Sequence, residues 1–364
     1  MRIQKRILAI VAMSVTIVML GGCWDSEPDT NRASALVLTV SQVSAKEWQW
    51  RFYFPNPTVT VSSLSQLKPS DQFYSMGVTA SSLARAYTRV QQRLARDLYL
   101  GQLEVIILSS KLTKQEMLRL LNAYNREGVT PKTAYILVGT PPVNKLALVT
   151  PQESIPSVYW ESYFECHQCQ PEYLGHPEWK VWDDMVTPGV SAVVPYGTRA
   201  YEMKKIAVYP ERGRPIIYST QATEGWAYLK GEVTKETLAF ETPWGRITLA
   251  NVHGTTHNQV RPGNRIIDVS TDIHLSVTLA EWGSSVELTP NILKQVGILG
   301  ERAVLSRCLL AIGEANRTHT DPFGYGRSLW FQHQAPEKLA RGGWEPISSQ
   351  VTVTLQIRSA GSGV

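Results

Sequence analysis

One stretch near the C-terminal end, residues 265–282, constrains the fold of this 364-residue chain more than any other. Its sequence, RIIDVSTDIHLSVTLAEW, places Ile, Val, Thr or Leu at every second position from 267 to 279. A period of two is typical of a strand that buries one face and leaves the other in water. The stretch therefore predicts a long strand in an antiparallel sheet with one packed face.

A long amphipathic helix is predicted directly after this strand. Thr289 can cap it, Pro290 suits its first turn, and apolar residues then recur at helical spacing. Residues 201–364 are therefore predicted to form a C-terminal domain, an antiparallel sheet plus one long helix. Further strands of this sheet are predicted, the first of them just ahead of that boundary: 191–197, 204–210, 225–231, 246–254 and 350–361.

The first half of the chain predicts a mixed α/β domain over residues 35–140. Two amphipathic helices alternate with strands, which implies helices packed on a mixed sheet. The first helix is predicted from Ala80 to Leu98, and a capping box of Thr113 and Glu116 starts the second. The strands have β-branched, aromatic or continuous apolar composition and are predicted at 35–40, 48–54, 103–110 and 132–139.

Four arginines lie on the outer faces of the first helix, and we interpret them as a solvated face in preference to a binding patch: Arg85, Arg89, Arg93 and Arg96. Residues 141–200 are rich in proline and tryptophan with weak periodicity, which indicates a middle domain or an elaborate connection. The predicted fold class is α+β, with three mixed α/β domains, each a sheet with packed helices.

A lipoprotein signal peptide is predicted at residues 1–22. Three basic residues precede an unbroken apolar run at 7–20, which is 14 residues long and short of the roughly 20 that a membrane span needs. Leu20 to Cys23, LGGC, resembles the bacterial lipobox, so Cys23 is predicted to carry a diacylglycerol and to begin the mature chain. Residues 23–34 would then be a polar tether. The alternative is a buried cysteine behind an uncleaved anchor.

The paired cysteines of the ECHQC segment, Cys166 and Cys169, allow three interpretations. A structural disulfide or two plain thiols is favoured, because no helix start is present to stabilise a redox thiolate. Half of a zinc site with His167 or His176 is the second, although no other ligand pair accompanies it. Redox catalysis is the third.

Other features exclude most catalytic classes. His253 and His257 are four residues apart, but glycine and threonine between them favour a strand or turn over a metal-binding helix. Ser65 and Lys68 fit an S-x-x-K pattern without its partner motifs. The chain has no P-loop, G-x-S-x-G or G-x-G-x-x-G after a strand. Its formal net charge of +5, without interleaved basic and aromatic residues, gives no case for nucleic acid. No catalytic residue, metal or cofactor is expected.

Several motifs, in their order along the chain, resemble a known family. GCWD at 22–25 follows the leader, and DPFGYGRSLW at 321–330 follows the long helix, ahead of Trp344 and a last strand. FYFPNP at 52–57 and IAVYP at 206–210 are also similar. Together they resemble the Ger(x)C spore germination lipoproteins, the C subunits of germinant receptors. The first strand keeps only the beginning of the family pattern ALVxALGID, and the CHQC pair is not part of that pattern.

The resemblance implies three mixed α/β domains and a non-enzymatic subunit, lipid-anchored on the outer face of the spore inner membrane. It would work with integral-membrane A and B subunits that sense nutrients and trigger ion and dipicolinate release. In the second motif the candidate site residues are Asp321, Phe323, Gly324 and Gly326. A structural role at a helix stop is favoured for them over direct partner contact, because glycine permits backbone angles that other residues resist.

Two other functions stay open. A solute-binding lipoprotein of a transporter would have two lobes of repeated strand and helix units, whereas this sequence has one such run followed by antiparallel strands. A lipid-anchored envelope hydrolase would need a catalytic constellation, and none stands out.

Overall fold

The computed structural model describes residues 31–44, 46–56, 73–126, 128, 130–148, 156–166, 175–198, 203–340 and 343–359. Within these ranges the chain forms three sheets and eight α-helices, so the predicted α+β class is confirmed. The predicted signal peptide, Cys23, Ser65, Lys68 and Cys169 lie outside the described residues.

An eight-stranded mixed sheet dominates the first half of the chain. Its order is β10-β9-β8-β7-β6-β2-β3-β4, with parallel pairing from β2 through β6 and β7 to β8. A separate parallel pair joins β1 (Arg32–Ser34) to β5 (Asp97–Tyr99). The strands of the large sheet are β2 (Val37–Gln42), β3 (Trp48–Pro55), β4 (Phe73–Ala80), β6 (Val105–Ser109), β7 (Tyr135–Gly139), β8 (Val193–Gly197), β9 (Lys205–Val208) and β10 (Ile216–Ile217).

Helices cover both faces of this sheet. On one face lie α1 (Leu83–Gln91), α2 (Lys114–Arg126) and α4 (Glu178–Val186). On the other face lie α3 (Pro156–Glu165) and a 3-10 helix at Val143–Leu148. Strand β6 therefore contributes alternate residues to two different cores, which accounts for its continuous apolar sequence.

The predicted start of α2 is confirmed in detail. The Thr113 N–H donates to Glu116 Oε2 at 2.8 Å, and the Glu116 N–H donates to Thr113 Oγ1 at 3.3 Å. This reciprocal pair is a capping box, which satisfies donors that a helix start leaves without an intrahelical partner.

A four-stranded sheet of order β11-β12-β13-β14 forms the second half. The long strand predicted from the alternating sequence is β13, and its residues at 267, 269, 271, 273, 275, 277 and 279 are buried. The remaining elements of this half are α5 (Thr220–Lys230), β11 (Thr234–Thr242), β12 (Gly245–Pro262), β13 (Ile267–Trp282), α6 (Pro290–Thr318), α7 (Tyr325–Phe331), α8 (Glu337–Ala340) and β14 (Ile347–Ser359).

The pairing of this sheet differs from the prediction at one strand. β11, β12 and β13 are antiparallel, as predicted, but β14 pairs with β13 in parallel. Helix α6 lies between β13 and β14 in the sequence. It carries the chain back to the end of the sheet where β13 begins. A parallel pair needs a crossover of this kind.

Three predicted strands were assigned wrongly. Those at 191–197 and 204–210 exist, as β8 and β9, but belong to the first sheet. Residues 225–231 are not a strand, because all but the last lie in helix α5. This helix is buried around most of its circumference, and a short apolar run cannot distinguish a buried helix from a buried strand.

Other boundaries also moved. Helix α1 ends at Gln91 instead of Leu98, and Leu98 lies in β5. Residues 32–34 of the predicted tether form β1. The predicted domain boundaries after residues 140 and 200 fall within the eight-stranded sheet, and the division of the chain into those domains stays a prediction.

Glu178, the first residue of α4, is a buried acid with few partners. Its Oε1 accepts a hydrogen bond from Asn125 Nδ2 at 2.9 Å, and its Oε2 has no hydrogen-bond partner among the described residues. Burial raises the pKa of Glu178 to about 7, although Asn125 and Lys132 act in the opposite direction. The charged form is thus disfavoured in the folded state.

We predict that Glu178→Gln stabilises the protein at pH 8 more than at pH 5. Because the folded-state pKa is raised, ionisation costs stability increasingly as the pH rises from about 4.5 to about 7. The gain should grow by about 1–2 kcal/mol between the two pH values, measured by urea unfolding. The exposed Glu287→Gln is the control and should show no such growth. A gain for Glu178→Gln that is equal at both pH values would contradict the prediction.

Candidate functional site at the Asp321 turn

The site begins where helix α6 stops. His319 ends the helix with φ of 55°, and its ring lies against Trp344 with ring centroids 4.6 Å apart. The Trp344 Nε1–H donates to the carbonyl oxygen of Thr320 at 3.2 Å. A left-handed residue at this place is a common helix stop, so the chain turns sharply into the motif that follows.

Asp321 organises the turn through its carboxylate. Oδ1 accepts hydrogen bonds from the backbone N–H groups of Phe323 at 3.1 Å and Gly324 at 2.9 Å, and Oδ2 accepts from Gly326 at 2.7 Å. The side chain is buried, with 5% of the residue exposed. Gly324 has a φ of 76°, in the left-handed region that favours glycine, and precedes α7.

A short loop after α4 is bound directly to this turn. The Ser191 N–H donates to the Asp321 carbonyl oxygen at 2.8 Å, and the Asp321 N–H donates to Ser191 Oγ at 3.0 Å. The Arg327 N–H donates to the Gly189 carbonyl oxygen at 2.7 Å. These three hydrogen bonds connect residues about 130 positions apart, between the first half of the chain and the second.

Two glycines make this approach feasible. A Cβ atom on Gly189 would lie 2.5 Å from the carbonyl carbon of Gly326, and one on Gly326 would lie 2.8 Å from the carbonyl oxygen of Gly189. Gly189 also has a φ of 72°. The two backbones touch, and no larger residue fits at either position without displacing the other.

An ion-pair cluster reinforces the junction. Arg327 pairs with Asp184 on α4, and Lys180 Nζ lies 2.7 Å from Asp184 Oδ1. Asp183 Oδ2 lies 3.6 Å from Arg327. The Asp184 side chain is only 7% exposed, and removing one member of a buried pair leaves an uncompensated charge.

Helix α5 contacts the same turn. Trp226 Nε1 donates to the carbonyl oxygen of Pro322 at 3.0 Å, and Lys230 Nζ donates to that of Phe323 at 3.2 Å. Burial raises the pKa of Asp321, while the N–H groups of Gly326 and Gly324 and the ammonium of Lys230 act in the opposite direction. The carboxylate therefore meets only donors and a cation.

The sequence located the turn but missed its partners. Asp321, Phe323, Gly324 and Gly326 lie together in the turn after α6 and all four are buried. Burial favours the structural role over direct contact with another protein, and that role stays a prediction. The sequence did not identify the residues that hold the turn. Gly189, Ser191 and Asp184 contact it from the first half of the chain, and Trp226 and Lys230 contact it from α5 in the second half. The only available signal was Pro188-Gly189, a turn dipeptide.

The other candidates stay apart from this turn. Cys166 follows α3 and is disulfide-bonded; with Cys169 outside the described residues, the pairing of these two stays a prediction. His176 Nδ1 lies 3.2 Å from the carbonyl oxygen of Val193, and burial lowers the pKa of its ring. His253 and His257 both lie on β12.

Two kinds of arrangement were not found among the described residues. No group of three or more His, Cys, Asp or Glu side chains there is arranged to hold a metal ion. No helix there has both the length and the apolar character that spanning a bilayer requires. The arrangement around Asp321 joins two halves of the molecule.

We predict that Asp321→Ala destabilises the protein strongly. The change leaves three buried N–H groups without an acceptor, at about 1–3 kcal/mol for a buried unsatisfied group, so the free energy of unfolding should fall by on the order of 3 kcal/mol or more. Asp321→Asn keeps the acceptor for Phe323 and Gly324 and should cost less. Urea unfolding followed by tryptophan fluorescence measures both. An alanine variant as stable as the unchanged protein would show that the turn does not depend on the carboxylate.

A glycine pair tests the close backbone approach. Gly326→Ala should destabilise the protein because its Cβ would collide with the Gly189 backbone. Gly313→Ala is the matched control, since Gly313 lies in α6 and a Cβ there meets nothing within 4 Å. The control should stabilise by about 0.5–1 kcal/mol, as alanine does in a helix. Equal effects of the two substitutions on the melting temperature would refute the packing argument.

Comparison with family models accounts for the two halves that meet at this turn. A model described as "Spore germination protein N-terminal domain" matches residues 25–199, and one described as "Spore germination B3/GerAC like, C-terminal" matches residues 217–361. Gly189 and Ser191 lie in the first match, and Asp321 and Gly326 lie in the second. The junction therefore connects the two family domains.

Individual relatives agree with these matches. Spore germination protein KC of Bacillus subtilis (strain 168) is 24% identical over 162 residues, which is 43% of this chain and 39% of that protein. The crystal structure of the GerBC protein shares the fold, with a TM-score of 0.56 and 10% identity, over 88% of this chain and 96% of that one. Since the two domain models together cover most of its length, the chain belongs to the Ger(x)C family of spore germination proteins.

Proposed function

We propose that this protein is the lipid-anchored, non-enzymatic C subunit of a nutrient germinant receptor. It assembles with integral-membrane A and B subunits on the outer face of the spore inner membrane and takes part in triggering germination. The observation that carries the proposal is the presence of both family domains on one chain, with the first beginning at residue 25, two positions after Cys23.

The order of segments supports the anchor. The charged start, the apolar run of 14 residues and the LGGC tetrapeptide directly precede the first family domain. Two acyl chains on Cys23 would hold the protein on the bilayer, because one chain alone gives only marginal, reversible binding. A tethered domain meets its membrane partners at a high effective concentration, which favours assembly even when each direct contact is weak.

The Asp321 turn supports a role in assembly and not in chemistry. Its carboxylate is committed to three backbone N–H groups and lies buried between the two family domains. We propose that Asp321, Phe323, Gly324 and Gly326 fix the relative position of these domains. The protein would then present a single rigid surface to its receptor partners.

Solute binding is the alternative that a direct measurement separates best. A solute-binding lipoprotein would bind amino acids or sugars by itself, whereas the proposed subunit needs its partners to respond. Isothermal calorimetry with candidate nutrients should therefore give no heat of binding for this chain alone. Saturable binding of a nutrient to the isolated protein would favour the solute-binding function.

We predict that Cys23→Ala abolishes lipidation, releases the protein from the membrane and slows nutrient germination. Labelling with radioactive palmitate, fractionation and the loss of spore absorbance measure these effects. A matched variant adds roughly six leucines to the apolar run of Cys23→Ala, giving about 20 residues and a permanent membrane span. It should restore both location and germination without the lipid. Normal germination with Cys23→Ala protein washed free of the membrane would refute the proposal.

A further inference from the structure

The strongest charged feature outside the Asp321 turn is a group of arginines on α1 and in the turn that follows it. Arg85, Arg89 and Arg93 are spaced four residues apart, and Arg96 follows in the turn before β5. All four residues are exposed. We name these four residues the arginine stripe. Arg85 and Arg89 lie on the same side of α1 because they are four residues apart in the helix. Arg93 lies in the turn that follows the helix and, like Arg89, donates to a backbone carbonyl oxygen of β4.

The stripe runs along the open edge of the eight-stranded sheet. β4 is the last strand of that sheet, and Arg89 and Arg93 donate to the carbonyl oxygens of Thr79 and Gly77 on it. Each guanidinium has five N–H donors and makes one such bond within the described part of the chain. The edge is therefore covered by cations that keep most of their donors for another ligand.

No acidic residue in the described part of the chain forms an ion pair with the stripe. Among the described residues, no carboxylate oxygen lies within 4 Å of the side-chain nitrogens of Arg85, Arg89, Arg93 or Arg96, whereas Lys114, Lys180, Arg307 and Arg327 all form ion pairs. Asp97 is the one acidic residue between positions 81 and 100. This segment of 20 residues thus carries a formal charge of +3, out of +5 for the whole chain.

The stripe lies beside the point where the chain arrives from Cys23. Arg96 directly precedes Asp97, which pairs with Arg32 in the β1–β5 ladder. Arg32 lies nine positions after Cys23, and an extended chain over nine positions reaches about 30 Å. Lipid attached at Cys23 would therefore hold the bilayer surface within reach of the stripe.

A cavity lies at this end of the stripe. It has a volume of about 420 Å³ and is lined by Arg32 and Arg96 together with Phe54, Tyr74 and Leu94, among others. The rings of Phe54 and Tyr74 are stacked, with centroids 5.0 Å apart. Its lining combines guanidinium groups with aromatic and apolar side chains, which suits a phosphate group attached to a glycerol backbone.

We propose that the arginine stripe binds the headgroups of anionic phospholipids and turns the α1–β4 edge of the first sheet toward the bilayer. This inference rests on the lipid anchor of the proposed function. Acyl chains fix the distance to the membrane but leave the domain free to rotate, and a polybasic surface supplies the second signal that orients it. A predicted secretory leader favours a membrane surface over nucleic acid as the anionic partner.

The test uses the unlipidated chain that begins at Trp24, which keeps both family domains whole. Co-sedimentation is measured with vesicles of phosphatidylglycerol and phosphatidylcholine in a one-to-three ratio and with pure phosphatidylcholine vesicles. We expect binding to the anionic vesicles only, weakening as NaCl rises to about 0.5 M and screens the charges. No binding to anionic vesicles, or equal binding to both kinds, would overturn the proposal. Because this assay involves neither lipidation nor germination, its outcome is separate from that of the Cys23 experiment.

Two charge-reversal variants locate the surface. Arg85→Glu with Arg93→Glu should weaken anionic vesicle binding by about tenfold or more. The matched control is Lys294→Glu with Arg302→Glu, which makes the same charge change at two exposed positions, also eight residues apart, on α6. The control should bind nearly as tightly as the unchanged chain. An equal loss in both would mean that overall charge, and not the stripe, attracts the vesicles.

Two further checks keep the test sound. Arg85→Gln with Arg93→Gln removes both charges but keeps side-chain N–H donors for the Ser81 and Gly77 partners. This variant should fold like the unchanged chain by circular dichroism and should bind anionic vesicles more weakly than that chain. A short DNA duplex is the competitor for the other anionic partner. Displacement of the protein from vesicles by a low concentration of this DNA would contradict a lipid-specific surface.

Discussion

The acceptance of three backbone N–H groups by the Asp321 carboxylate is the interaction on which the rest of the arrangement depends. It shapes the turn that ends α6 and starts α7, and so places Arg327 beside Asp184 and Gly326 against Gly189. A buried carboxylate is costly unless donors surround it, and here the backbone supplies them at fixed positions. The hydrogen bonds to the carboxylate oxygens stabilise the turn, and the turn brings the two family domains together.

This junction has the character of a protein interior and not of a loose interface between domains. Backbone hydrogen bonds, a contact between two glycines and a largely buried ion-pair cluster all bridge it. Such contacts are short and directional, so the domains cannot slide past each other without breaking several at once. For the receptor subunit proposed above, such a junction would transmit a displacement from one domain to the other instead of absorbing it.

Sequence periodicity predicted the elements whose partners are close in the chain or whose faces are distinct. The strand β13, the capping box of α2 and the turn after α6 all follow from local patterns of this kind. Helix α5 and the sheet membership of β8 and β9 did not, because a fully buried segment lacks an alternating face and strand order is set by distant contacts. Ser191 is likewise joined to Asp321 across 130 residues, and no local pattern encodes such a bond.

The small β1–β5 ladder has a mechanical consequence. β1 is three residues long, pairs in parallel with β5, and is the described strand that lies nearest in sequence to the predicted anchor. Any pull from the anchor would load this ladder before it reached the eight-stranded sheet. The ladder has only three residue pairs, so it resists a pulling force less than the eight-stranded sheet does. Under tension β1 would separate from β5 first. The tether between Cys23 and the first folded domain would then become longer, while both domains stayed folded.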